Sequence, residues 1–384
     1  MKITQIETYI ASIPYCDQEI SARVNRGGVT DVVVKIVTDD GLIGWGESCS
    51  GADVKSVECA VQSARPFLLG RSPWDHEQIC RDFFMRGLWD YRPMTGNFAF
   101  AGIDMALWDI CAKSVDQPLY QFFGGLARTS VNYFAYLKQG SLESVRKQCR
   151  QNMRRGCTVF YIKAGIDFFA EKEMIRVIRE TIGETSKIRI DANGAWSVNE
   201  ALRNLAELDE CRLDFAEQPV AAEPVRNMAE LRAHTAVALC ANEGLGRISD
   251  VWEVIRARAA DVLNFSSYWV GSLANFHRLA HAANWEGLRV CKHTHGEFGL
   301  AAAAHHQLLL TLPNIVDGHQ ETASTMEGDI LTEDLPIIQS ADWGVPAGTG
   351  LGVTVHEGRL QEAVERYNRD GQFLPHQTEI SSAL

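Results

Sequence analysis

The sequence predicts an α/β protein in which a parallel β/α barrel, about residues 126–340, follows an α+β domain of residues 1–125. Three observations carry that prediction. Short apolar runs alternate with helix-patterned stretches from Val131 onward, as strands joined by right-handed crossovers do. The residues closing those runs recur at a nearly constant step: Asp191 in IRIDANG, Glu217 in LDFAEQP and Glu243 in ALCANEG stand 26 residues apart. Lys163 precedes Asp191 by 28 residues, Ser266 follows Glu243 by 23, His293 follows by a further 27 and Glu321 by another 28. One step is one strand-loop-helix unit. The third observation is that these ends, most of them polar or ionisable, come to one rim, where barrels carry their chemistry.

In chain order, ITQIETYIA alternates as a strand does, and DVVVKIVT, the DDG turn and LIGWGES form a hairpin pattern. Helical stretches follow at about 54–68, 75–85 and 97–123, the last apolar at helical spacing and ending at Gly124 and Gly125. Two segments have the composition of loops, either covering a pocket or simply at the surface. They are Tyr15 to Val29, with Arg23, Asn25, Arg26 and the Gly27-Gly28 pair, and GESCSG around Glu47 and Ser48. NYFAYL opens the barrel, which reaches eight strands by Glu321. After IRIDANGAW, Ser197 and Glu200 spell a capping box, and Ala201, Leu202, Leu205 and Leu208 make the stripe that faces the sheet. The tail after about 340, with a helical LQEAVERY, is expected to pack back on the first domain.

Bulk properties narrow the function. With 384 residues, 46% hydrophobic and 22% charged, the chain is globular and long enough for two domains. A formal charge of -12 and the lack of any Lys/Arg run exclude a nucleic-acid or anionic-membrane surface. Ten cysteines without a CxxC pair read as reduced thiols, mostly buried. No apolar run reaches a membrane span and MKITQIETYI lacks a signal-peptide core, so a cytoplasmic protein is expected.

Three carboxylates share a confined space only if a cation offsets their repulsion, and for hard oxygen donors the expected ion is Mg²⁺. The alternative for each is a neighbouring Arg or Lys. Asn193, two residues past Asp191, lies near the same mouth or satisfies its own turn. Lys163 ends an apolar strand; partly desolvated beside a metal, it is expected to have a lowered pKa and to act as a base, the alternative being an ion pair with a carboxylate. Tyr161 shares its side of the strand, facing the site or filling the core. His293, around the ring, could pass a proton on the other side of a substrate, with His295 close by. Glu321 could bind a substrate carboxylate or form a structural ion pair. His305 and His306, in a helical run, read as packing or surface residues.

These residues resemble the enolase superfamily, in the group typified by mandelate racemase and muconate lactonizing enzyme. The resemblance spans essentially the whole chain. It rests on the G-I-D-x-A-L-W-D helix, Gly102 to Asp109, and on the D-x-N, E-Q-P and N-E-G segments. It implies a capping domain, a modified (β/α)7β barrel, Mg²⁺ on Asp191, Glu217 and Glu243, a small-molecule carboxylate substrate, a homo-oligomer, and removal of the proton α to the carboxylate. Two departures stand out. Tyr161-Ile162-Lys163 replaces the K-x-K common in the family, and Ser266 stands where the resemblance leads one to expect Asp or Lys, leaving His293 without an orienting carboxylate. A weakened His293 suits the role of acid. The reading is therefore a dehydratase of a sugar acid or related hydroxy acid, with Lys163 as base and Tyr161 assisting. Racemase, epimerase or cycloisomerase comes second, and a lapsed metal-binding barrel third. Arg23, Ser266, His295, Asn193 and Glu321 complete the expected site.

Overall fold

The computed structural model describes residues 1–49, 53–86 and 93–374. Its first part is a three-stranded antiparallel sheet, β1 (Ile3–Ile20), β2 (Asn25–Thr38) and β3 (Ile43–Ser48), backed by helices α1 (Val54–Ser63), α2 (Arg65–Leu68), α3 (His76–Arg86) and α4 (Pro93–Ser114). The expected hairpin pairs Val32 with Ser48 and Val37 with Ile43. The segment Tyr15 to Val29, expected as a loop, is mostly strand: β1 and β2 stay paired out to Ile20 and Asn25, across an irregularity between Pro14 and Glu19. Gly28 supplies room there, because a Cβ would sit 2.5 Å from the Ile13 carbonyl oxygen. Residues 50 and 51 of GESCSG lie outside the described residues. The helix expected to reach residue 123 ends at Ser114. Asp116 takes a positive φ, and Pro118 then starts a separate 3-10 turn, Leu119–Phe123, closed by left-handed Gly124.

The second part alternates as the spacing predicts: β4 (Ser130–Asn132), β5 (Ala135–Leu137), α5 (Leu142–Arg154), β6 (Val159–Lys163), α6 (Phe168–Ile182), β7 (Lys187–Asp191), α7 (Val198–Glu207), β8 (Leu213–Glu217), α8 (Val225–His234), β9 (Leu239–Ala241), α9 (Ile248–Arg256), β10 (Val262–Phe265), α10 (Ser267–Val270), α11 (Leu273–Trp285), β11 (Arg289–Lys292) and α12 (Gly299–Leu309). After them come β12 (Asp342–Gly344) and α13 (Glu357–Asp370). Strands β5 to β11 form one parallel sheet in sequence order. Residues 314–320 close it into a barrel: Val316 N donates to Val290 O and Gln320 N to Lys292 O on one side, and Phe134 N donates to His319 O on the other. The Ser197–Glu200 capping box is present at the start of α7, and Ala201, Leu205 and Leu208 are buried.

The G-I-D-x-A-L-W-D helix explains itself structurally. A Cβ on Gly102 would meet Ser48, so glycine lets β3 and α4 approach this closely. Asp104 accepts from Leu273 N at the start of α11, and Asp109 accepts from Trp45 N and Leu351 N. Both acids therefore join distant segments of the chain. The C-terminal segment likewise touches both parts, β12 pairing with β4 while Phe373 N donates to Thr30 Oγ1. Among the described residues no helix is long and apolar enough to cross a membrane.

Candidate active site

Parallel pairing sets the site at the carboxyl ends of the strands, with Lys163 opposite Asp191 and Asp191 opposite Glu217. One hydrogen-bonded chain links most of the expected residues. Asp191 Oδ2 accepts from Tyr161 Oη at 2.6 Å and from Lys163 Nζ at 2.7 Å; Lys163 also donates to Asn193 Oδ1 at 3.1 Å. Asn193 Nδ2 reaches Glu243 Oε1 at 2.8 Å. Asn193 has a positive φ of 46°, a conformation asparagine tolerates better than most residues. Glu217 is held by Asn264 Nδ2 and Gln320 Nε2, each at 2.8 Å. Neither amide was anticipated from the sequence, because nothing in its spacing marks which strand amides turn inward.

The electrostatics describe a site short of positive charge. Burial, then the neighbouring Asp191 charge, pushes Glu217 well above the carboxylate range and Glu243 up to about 7. Glu243 Oε2 is buried with no hydrogen-bond partner among the described residues. An unsatisfied acceptor beside acids that resist ionisation is what a hard dication would relieve, so the donor set fits Mg²⁺. The three acids are not already gathered about one point. Among the described residues, the group of three whose donor atoms all lie within 4.8 Å of one another is Asp31, Glu47 and Cys49.

A cavity of about 50 Å³ is lined by both Lys163 and His293 and by Tyr161 and Glu321. Burial lowers the pKa of Lys163, but Asp191, with Tyr136, Glu19 and Glu217, outweighs it and holds the ammonium charged. The ion pair with a carboxylate, the alternative reading for this lysine, is thus present. His293 is displaced the other way, well below its usual value, by burial and then by His295, Lys163, Lys292 and Arg26. As it stands, the lysine carries the proton and the histidine the lone pair.

His293 does have an orienting neighbour, which the sequence concealed. Tyr268 Oη lies 3.5 Å from His293 Nδ1, donates to His293 O at 3.1 Å and accepts from His295 N at 2.7 Å. The phenol oxygen therefore sits against the Nδ1 edge of the ring and fixes how the imidazole is turned. Trp269 packs edge-on against the ring at 5.0 Å. The signal was a tyrosine two residues after Ser266, which only the folding of α10 brings to His293.

The remaining expected residues divide. Glu321 lines the cavity but accepts from Ser324 N at 2.9 Å and lies 3.9 Å from Arg155. His295 is half-buried, and desolvation and then Arg26 push it down to about 4. Ser266 is buried at the cap of α10, and Arg23 donates to the carbonyls of Asn193 and Gly194; neither lines the cavity. In place of Arg23, Arg26 reaches it, paired at 2.7 Å with Glu19, and Lys138 pairs with Asp17 at 3.2 Å on the same wall. Arg26 and Glu19 face each other because the hairpin carries β1 and β2 past the point where a loop was expected.

Comparison with known proteins agrees with this architecture. Residues 144–359 match the family model described as enolase C-terminal domain-like, and residues 18–124 match the mandelate racemase/muconate lactonizing enzyme N-terminal domain. The chain belongs to the enolase superfamily, in the mandelate racemase/muconate lactonizing enzyme group. Superfamily relatives include an N-succinyl-L-Arg/Lys racemase of Bacillus cereus, 28% identical over 374 residues that cover 94% of this chain and 98% of that protein. A D-galactarolactone cycloisomerase of Agrobacterium fabrum is 27% identical over 382 residues, covering 94% and 98%. The solved structure of an enolase from Streptomyces coelicolor superposes with a TM-score of 0.88 at 28% identity, covering 97% of this chain and 99% of that one. Dehydratases of arabinonate and D-galactonate are among the further relatives. The relatives are thus enzymes, divided between lyases and isomerases.

Proposed function

We propose that this superfamily member removes the proton α to a substrate carboxylate, with Mg²⁺ held by Asp191, Glu217 and Glu243, and that the reaction is dehydration of a sugar acid or related hydroxy acid to a 2-keto acid. The observation that carries the reading is that Lys163 and His293 line one small cavity beside the acids. The ion supplies stabilisation of negative charge on the substrate's carboxylate oxygens. The chain's own residues do the rest. Tyr161 and Lys163 hold Asp191 in place, Asn193 ties Lys163 to Glu243, and Tyr268 sets the orientation of His293 from its Nδ1 edge. One of Lys163 and His293 takes the α-proton while the other protonates the departing β-hydroxyl. Hydroxyls suit the far wall: the Glu19–Arg26 and Asp17–Lys138 pairs both accept and donate, and Tyr15 Oη is buried without a hydrogen-bond partner among the described residues.

Racemisation or epimerisation is the second reading. It is favoured by the same two proton-transfer groups, since inversion needs one on each side of the α-carbon. Incubation with Mg²⁺ and a panel of acid sugars in D₂O, scoring 2-keto acid and Cα deuterium together, separates the two: exchange without keto product defeats dehydration. Running Lys163→Ala and His293→Asn beside the parent identifies the base as the group whose loss abolishes exchange. Absence of exchange from every carboxylate would point to a lapsed site. Ten free cysteines support a reducing, cytoplasmic setting. Assembly as a homo-oligomer is proposed on family resemblance alone.

A further inference from the structure

Helix α11 carries two histidines that the site above does not use. His277 and His281 stand one turn apart, so their side chains leave one face of the helix. Their Nε2 atoms are 3.2 Å from each other, with ring planes 65° apart. Two imidazole nitrogens meet at that distance either because one N–H donates to the other's lone pair or because both lone pairs serve a shared cation. For metal–nitrogen bonds of about 2.0–2.1 Å, such a separation subtends roughly 100° at the ion. That lies between the square-planar and tetrahedral angles, so neither ring would have to move far.

The surroundings favour ligation. The ring of Phe123 packs 5.2 Å from His277, and the Phe123 main chain offers the imidazole a hydrogen bond, the kind of outer contact that fixes a metal-binding ring. Burial, then the adjacent His281, pushes His277 down to about 4, so protons do not compete for it near neutrality. Both histidines remain partly exposed, which leaves an ion a way in.

We propose that His277 and His281 form a two-histidine site for a borderline divalent transition ion, Zn²⁺, Cu²⁺ or Ni²⁺, separate from the oxygen-lined Mg²⁺ site. Nitrogen donors select against Mg²⁺, and oxygen donors at the barrel mouth favour it, so the two sites load independently. The test uses the whole protein in saturating Mg²⁺, titrated with Cu²⁺, with electron spin-echo modulation counting the bound imidazoles. The parent should show two imidazoles and release the signal to excess Zn²⁺. His281→Gln should bind roughly tenfold or more weakly and show at most one. Unchanged modulation and affinity in folded His281→Gln, or no two-imidazole species in the parent, overturns the proposal and leaves an ordinary N–H···N hydrogen bond. His277→Gln provides a second reading of the same signal, with circular dichroism confirming that each variant is folded.

Discussion

At the barrel mouth Asp191, Glu217 and Glu243 are held by side chains, with one buried oxygen left over and a cavity alongside. Asp31, Glu47 and Cys49, buried where the first domain meets helix α12, are disposed differently. There Glu47 Oε1 accepts from Phe298 N at 2.7 Å and Oε2 from Ala301 N at 2.9 Å. Both oxygens are spent on the amino end of α12, a helix buried along its whole length. The second cluster is the more compact of the two, yet compactness is the wrong criterion. Carboxylates whose oxygens are consumed by main-chain N–H groups brace a helix, whereas those left short of partners beside a cavity are prepared for a ligand. Lys292, ion-paired with Glu297, lies between the regions, adjacent in sequence to His293.

Five experiments sharpen or break that contrast. The largest effect is expected for Glu217→Gln, which should abolish Mg²⁺-dependent α-proton exchange; losing metal-derived stabilisation worth several kcal/mol means a rate drop of about a hundredfold or more. Its thermal stability should change little, and a variant with full exchange would remove the mouth from the mechanism. Glu47→Ala should do the reverse. Leaving two buried N–H groups unpaired costs roughly 2–5 kcal/mol in chemical denaturation, while Mg²⁺ affinity measured by calorimetry stays put.

The same carboxyl gives a signed pH dependence. Burial, then Asp31, holds Glu47 well above its usual pKa, so the folded state binds the extra proton and its contribution to stability is present at acid pH. It declines as pH rises from the unfolded carboxylate value through the folded one, and Glu47→Gln should flatten that alkaline decline in a pH series of melts.

Next in size, Tyr268→Phe removes the oxygen that orients His293. Turnover should fall by about ten- to a hundredfold with a displaced pH profile and unchanged Mg²⁺ affinity; a profile superimposable on the parent's would show the contact to be packing only. Smallest is Arg23→Ala. Its guanidinium braces the Asn193 and Gly194 carbonyls, so about 1 kcal/mol of stability per lost hydrogen bond is expected with KM nearly unchanged. A large rise in KM would restore Arg23 to the substrate.

How much of this was legible depended on the kind of signal. Repeats and caps are local: the 26-residue step, the Ser197–Glu200 box and the DDG turn each act within a few residues, so barrel, helix start and hairpin could all be read directly. The Asp191–Lys163–Tyr161 group was legible too, because side chains two apart on a strand share a side and adjacent parallel strands register end to end. Misjudged segments failed where distant contacts overrode local composition. Gly27-Gly28 looked like a flexible loop and proved to be strand, since the crowding that demands Gly28 comes from Ile13 and Phe373.

The sequence by itself determined the fold, the family and the ring of polar strand ends, since periodicity and motif spacing are properties of the chain alone. Tertiary structure decided protonation and partnership: that Lys163 is held charged by Asp191, that Tyr268 orients His293, that Arg26 rather than Arg23 reaches the cavity, and that Glu47 braces α12. A pKa depends on every charge within a few ångströms and on how much water is excluded, and both are set by residues tens or hundreds of positions away.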